Sequence, residues 1–328
     1  MTRLNLLLAI SMLLVASCKS ASVKETVAES APKFNNLVEF NSDSAYSHIA
    51  KQVAFGPRVP GTVPHAACAD YIISQLDGAD TILIQKCQAK NFKGENLALT
   101  NIMGRFNLQA QKRILLAAHW DTRPWADNDG DKSNHSTPID GANDGGSGVG
   151  VLLELARLFS EKMPSVGVDL LFVDGEDSGD SSGLLENNDD TWCLGSQYWS
   201  NHTPYSPDNR PAYGILLDMV GGRNAKFYRE YTSELAASGI NSKVWAIANA
   251  SGYGDRFINT VRGAVNDDHI HLNKAGIPTI DIIECGNSST GSFPPTWHTL
   301  QDNIDNIDRA TLKAVGQTVA NTIYLEKN

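Results

Sequence analysis

Four apolar runs of strand length punctuate the chain: Arg113–His119 (RILLAAH), Val168–Asp174 (VDLLFVD), Tyr213–Val220 (YGILLDMV) and Ile277–Glu284 (IPTIDIIE). Each is apolar almost throughout and does not alternate, which is the pattern of a strand covered on both faces. Between and after them, apolar positions recur at helical spacing over Ser147–Lys162, Ser242–Ala250 and Asp308–Leu325. A further helical pattern (HAACADYIISQL) carries Cys68, and the strand pattern after it (TILIQKCQ) carries Cys87. Strands interleaved with helices predict an α/β fold of three layers, with a mostly parallel central sheet and helices on both faces. No linker, repeat or low-complexity tract interrupts the chain after about residue 36, so 36–328 reads as a single domain.

The beginning of the chain has a different character. Residues 4–17 (LNLLLAISMLLVAS) follow Arg3 and are too few to span a bilayer, which takes roughly 20 apolar residues. A basic residue followed by a short apolar stretch reads as a secretory signal, residues 1–17. Val15-Ala16-Ser17-Cys18 resembles the bacterial lipobox. That resemblance implies lipidation of Cys18 and an exported protein anchored to a bacterial membrane, facing the periplasm or the cell surface. Residues 18–35 are small, polar and aperiodic, as suits a flexible tether. Export permits disulfides. Cys68, Cys87, Cys193 and Cys285 remain, and a Cys68–Cys87 bridge is one pairing among several that the spacing leaves open.

Composition narrows the function. The 328 residues are 41% hydrophobic and 20% charged, which suits a globular fold, and 37 Asp+Glu against 27 Lys+Arg give a formal charge of −10. With no basic run, nucleic acid is excluded as a partner. No CxxC spacing offers a thiolate metal site.

The placement of the polar residues is more telling than their number. His119 and Asp121 close the first apolar run, Asp174-Gly175-Glu176-Asp177 the second, and Asp218 the third. Ligands in α/β sheets sit beyond the carboxyl ends of strands, so these segments deliver acids and imidazole to one edge. In His119-Trp120-Asp121 the period of two puts both polar side chains on one face, where the carboxylate can orient the imidazole. Gly141-Ala-Asn-Asp144-Gly-Gly-Ser-Gly148 is a glycine-rich turn opening a helix, but it lacks the P-loop lysine and the dinucleotide spacing, and so reads as a loop exposing Asp144. In Glu176-Asp177 one carboxylate can ligate a metal while its neighbour moves protons. Asp267-Asp268-His269 and Trp297-His298 complete the set. No GxSxG elbow supports a Ser-His-Asp scheme. Asp127-Asn-Asp129-Gly-Asp131 begins like an EF-hand loop but has Pro138 where the twelfth-position Glu belongs, and reads as a polar turn. An Asp/Glu/His set suits zinc with oxygen and nitrogen ligands.

The segments H119-W-D121, A142-N-D144, D174-G-E176-D177, L194-G-S-Q197, L216-L-D218, D267-D-H-I270 and F293-P-P-T-W-H298 occur in the order found in the zinc aminopeptidase superfamily. Within it, residues 36–328 most resemble the glutaminyl-peptide cyclotransferases (glutaminyl cyclases) of the animal-type fold. The resemblance implies a zinc-exopeptidase-like fold and one Zn2+ per chain, held by Asp144, Asp177 and His298. It implies Glu176 as proton shuttle, with Asp218 and Asp267 in a supporting network. Trp297, Phe293, Val265 and Asn266 would line the pocket for the N-terminal glutamine of a peptide or protein, which would be cyclised to pyroglutamate with loss of ammonia. A monomer is the expected state.

Three departures accompany the likeness. Glu176-Asp177 stands where animal cyclases have Glu-Glu, Asp281 replaces a histidine, and the acidic stretch Ser178–Cys193 is longer, being either a lid bearing Trp192 or a solvated loop. The principal alternative is an aminopeptidase of the same superfamily, in which His119 and Asp218 would bind a second zinc with Asp144 bridging. Trp297 before the last histidine, and Asp267-Asp268-His269 in place of Ser-Asp-His, favour the cyclase. A non-enzymatic surface lipoprotein would not need this intact constellation.

Overall fold

The computed structural model describes residues 35–328, which fall within one compact unit. The signal, Cys18 and most of the tether lie outside the described residues. Eight strands and seven α-helices follow in the order α1 (Ser42–Phe55), α2 (Val63–Ser74), β1 (Thr81–Lys90), β2 (Asn96–Phe106), β3 (Arg113–His119), α3 (Gly146–Glu161), β4 (Gly167–Val173), α4 (Leu194–Asn201), β5 (Tyr213–Leu217), β6 (Phe227–Arg229), α5 (Tyr231–Ala250), β7 (Phe257–Val261), α6 (Asp268–Lys274), β8 (Thr279–Ile282) and α7 (Arg309–Leu325).

The main sheet has the order β1-β2-β4-β3-β5-β8. The pairs β4–β3, β3–β5 and β5–β8 are parallel, while β1–β2 and β2–β4 are antiparallel. The sheet is thus mixed, parallel where the apolar runs are continuous and antiparallel at the edge. The two strands at that edge alternate in burial over much of their length, as half-covered strands do. Every residue of β3, β4 and β5 is buried. Successive β3 side chains serve two cores. Ile114, Leu116 and Ala118 pack with α1, α2, α3, α5 and α7, whereas Leu115 and Ala117 pack with Trp199 of α4 and Leu272 of α6. This two-sided burial makes the three layers. β6 and β7 form a separate parallel pair.

The chain termini of these elements differ from the expected ones at informative places. β5 stops at Leu217, so Asp218 leaves the sheet. The helix expected at Ser242–Ala250 begins at Tyr231, where the Glu230 side chain accepts the N–H groups of Thr232 and Ser233 as an N-cap. All four described cysteines are free. Cys68 is sealed in the large core and Cys87 packs with Leu99 and Leu194 in a separate cluster, so the conceivable bridge between them does not form.

Candidate active site

The carboxyl ends of the parallel strands gather the predicted residues. His119 ends β3, Glu176 and Asp177 follow β4, and Asp218 follows β5, while Asp144 sits in the turn before α3 and His298 in the loop before α7. His298 Nε2 lies 3.1 Å from Asp177 Oδ1 and 3.7 Å from Asp144 Oδ2. The other oxygen of Asp144 is 3.0 Å from His119 Nε2, which is 3.2 Å from Asp218 Oδ1. Two buried triads, Asp144–Asp177–His298 and His119–Asp144–Asp218, therefore share Asp144.

These donors fit a metal. Asp177 is 1% exposed, yet neither carboxylate oxygen has a hydrogen-bond partner, an expensive arrangement unless a cation meets them. Around a tetrahedral zinc with bonds of about 2.0–2.2 Å, ligand atoms stand about 3.3 Å apart, close to the 3.1 and 3.7 Å that separate His298 Nε2 from Asp177 and Asp144. Asp144, Asp177 and His298 would hold the ion. The second triad is equally close-set, and Asp144 could serve both.

The surroundings fix these ligands. Asp121 accepts the backbone N–H groups of Glu176 and Asp177, which steadies the next loop, and lies 3.5 Å from His119 Nδ1, on the face where the sequence places it. Asp302 accepts the N–H groups of Asn143 and Asp144 at 2.8 and 3.0 Å. Gly145 has φ 73°, and a Cβ there would meet the His119 ring at 2.8 Å, so the glycine turn keeps Asp144 against the imidazole. His298 itself adopts a left-handed φ of 55°. Asp174, first of the Asp-Gly-Glu-Asp run, turns away and pairs with His65 at 2.9 Å.

Electrostatics separate the two neighbouring acids. Burial, opposed by His119 and reinforced by Asp177 and Asp267, holds the Glu176 carboxyl well above its usual range. Asp177 is pushed up to about 6, by burial first and then by Asp144. Glu176 also receives the Cys193 thiol at 3.5 Å on Oε1, and its carbonyl accepts the Cys193 N–H at 3.0 Å.

Above the triads is a cavity of ≈ 210 Å³ whose walls include Trp192, Val265, Asn266, Phe293 and Trp297, with Glu176, Asp218 and Asp267 facing it. All five predicted pocket residues are there. The ring centroids of Trp297 and His298 are 3.8 Å apart, those of Phe293 and Trp297 4.6 Å, and those of Trp192 and His298 6.0 Å at 14°. The 178–193 stretch is both things foreseen: Ser181–Asn187 is exposed, while Trp192 reaches the cavity.

Residues 101–323 match peptidase family M28. The chain belongs to that family. A glutaminyl cyclase of Bacteroides thetaiotaomicron, solved with N-acetylhistamine, is 49% identical with a TM-score of 0.85, over 89% of this chain and all (100%) of that one. A Zn-dependent exopeptidase of Parabacteroides distasonis is 48% identical with a TM-score of 0.84, over 88% and 99%. The glutaminyl-peptide cyclotransferase of Bos taurus is 26% identical over 292 residues, 78% of this chain and 74% of the relative.

This M28 site also uses residues that sequence reasoning did not select. Asp127 lies 3.3 Å from His298 Nδ1 and is bound by Arg123, whose buried guanidinium also donates to the carbonyls of Asp177 and Gly179. In the sequence it belongs to a polar turn, whose Asp129 and Asp131 are engaged by local N–H groups. Asp302 and Glu230 support backbone far away in the chain, and no local motif announces them. Met219 and Ile283 add apolar wall at strand ends.

Proposed function

We propose that this M28 member is a glutaminyl-peptide cyclotransferase acting on peptides and proteins with N-terminal glutamine. The observation that carries the reading is the small aromatic cavity set directly on the Asp144–Asp177–His298 triad, with Glu176 on its wall. The near-complete coverage at 49% identity by the Bacteroides thetaiotaomicron glutaminyl cyclase supports it.

Bound zinc would supply a Lewis acid for the side-chain γ-carbonyl and its developing negative charge. The protein's own groups do the rest. Trp297, Phe293 and Trp192 hold the glutamine side chain folded back toward its own α-amine, which makes ring closure intramolecular. Glu176 accepts a proton from the α-amine as the new N–C bond forms, and delivers it to the amide nitrogen as the C–N bond breaks and ammonia leaves. A carboxyl lifted by burial is suited to that exchange near neutral pH. Asp218, just after β5, and Asp267, at the cap of α6, flank it.

The His119–Asp144–Asp218 triad favours a second reading, an aminopeptidase with two metals. Metal content separates them: one zinc per chain for the cyclase, two for the peptidase. Purified protein given an H-Gln-peptide and H-Leu-amide is expected to release ammonia and form pyroglutamate from the first. Hydrolysis of the second without pyroglutamate from the first would sink the cyclase reading. The enzyme would be exported and lipid-anchored through Cys18, with 18–35 as tether, a reading supported by residues 4–18.

A further inference from the structure

One buried nucleophilic side chain stands against the site and has no part in the chemistry above. Cys193 is fully buried where the 178–193 stretch turns into α4. Its backbone is tied to the turn that carries the proposed shuttle: its N–H donates to the Glu176 carbonyl at 3.0 Å, and the N–H of Leu194 to that of Gly175 at 3.1 Å. Gly195 lets α4 come this close, since a Cβ there would meet the Asp174 carbonyl oxygen at 2.1 Å. The side chain completes the contact, with Sγ 3.5 Å from Glu176 Oε1. Cys193 also has φ 58°, in the left-handed region where glycine is the inexpensive residue. A side chain kept at so unfavourable a backbone position argues that the side chain is used.

The surroundings of the thiol define that use. Reactive thiolates sit in electropositive, partly exposed places. Cys193 is instead sealed among carboxyl groups, and burial, then Asp268, Glu176 and Asp267, hold its thiol well above the usual range. It therefore keeps its proton and serves as neither nucleophile nor metal ligand, which leaves one S–H to donate. The acceptor within reach is Glu176. Glutamate is a long side chain with several rotatable bonds, and a proton carrier must stay within hydrogen-bond reach of the nitrogens it serves. A donor on Oε1 fixes the plane of the carboxyl group and leaves the other oxygen for the proton.

We propose that Cys193 is a positioning residue for Glu176: its thiol donates to Oε1 and so presents Oε2 to the cavity. It touches no substrate and acts through Glu176. The inference rests on Glu176 carrying the proton in the proposed reaction.

The test compares C193S, C193A and C193G on the full chain loaded with zinc. C193A and C193G lose the donor and are expected to lower kcat about tenfold, with KM within about twofold and bound zinc unchanged. C193S keeps a donor and should stay within about threefold of the wild-type kcat. Glycine suits φ 58°, so C193G should unfold at no lower temperature than C193A and yet be as slow. In the E176Q background, adding C193A should change kcat by less than about twofold. Wild-type kcat in C193A and C193G, or a C193S as slow as C193A, would overturn the proposal. The S–H stretching band supplies a readout that needs no turnover. The band that disappears in C193S belongs to Cys193 and is expected to shift to higher frequency in E176Q, where the acceptor is weaker. A band that E176Q leaves in place overturns the proposal. Running the kinetics on H-Gln-peptide and H-Leu-amide in parallel separates two failures. A wild type that hydrolyses only the latter overturns the cyclase reading, and the same series is then read on hydrolysis. If neither substrate is turned over, the band decides.

Discussion

The carboxylate of Asp121 accepts the backbone N–H of Glu176 at 3.1 Å on one oxygen, and that of Asp177 at 3.2 Å on the other. One buried side chain thereby sets the path of the loop that presents both the proposed shuttle and a proposed ligand. Asp121→Asn replaces one acceptor with an NH2 group facing a buried N–H. Leaving that N–H unpaired costs about 1–3 kcal/mol. The variant is expected to unfold at lower temperature by the corresponding amount and to lose about 10- to 100-fold in kcat, through misplacement of Glu176. Thermal unfolding and steady-state kinetics check both. A variant matching the wild type in both would sever Asp121 from the site.

Glu176→Gln keeps the shape of the side chain and the backbone bonds to Asp121 and Cys193 but cannot carry a proton between nitrogens. Glu176 belongs to neither metal triad, so bound zinc should be unchanged by elemental analysis. Turnover should fall about 10²- to 10⁴-fold, the usual range for removing a general acid–base. Near-normal kcat with full zinc would remove Glu176 from the shuttle role.

These residues were legible in the sequence because each sits where a continuous apolar run ends. β3 occupies the expected span residue for residue, its seven side chains all buried. β5 and β8 prove shorter than their apolar runs, since Asp218 and Glu284 already belong to the loops beyond. The first half of α5 was illegible. It holds Gly239 and a non-helical Ala237 at φ −148°, and its start depends on the cap supplied by Glu230. Asp127 was illegible for another reason. Its partner His298 is distant in sequence, and a polar turn looks the same whether its carboxylate faces water or an imidazole.

The Glu230 cap gives stability an acid limb. Burial works against its charge, but His269 and the N–H groups of Ser233 and Thr232 hold the carboxyl down at about 2, against an ordinary 4.5. A carboxylate with a lowered folded-state pKa contributes stability that is fully present above the unfolded value. That contribution disappears as pH falls from about 4.5 through about 2, and amounts to on the order of 3 kcal/mol. Glu230→Gln should therefore be less stable than the wild type at pH 7, with the difference narrowing between about pH 4.5 and 2. Urea titrations of both proteins across that range measure it. A difference that stayed constant with pH would show that the Glu230 charge is not what caps α5.

Trp192 offers a test of the wall apart from the metal. It follows the exposed residues Ser181–Asn187, yet its ring lies nearly parallel to His298 and under the Arg123 guanidinium at 4.8 Å. Gly179 leaves room for it: a Cβ there would meet the indole at 2.1 to 2.4 Å. Gly179→Ala must push the indole aside or shift the loop, whereas Trp192→Ala removes it. Both should raise KM for an H-Gln-peptide about 5- to 20-fold, as loss of about 1–2 kcal/mol of aromatic contact predicts. kcat should change less, because Glu176 and the triad keep their own supports in Asp121 and Asp302. If Trp192→Ala lowered kcat and left KM alone, the indole would be serving the reacting geometry and not the binding of the side chain.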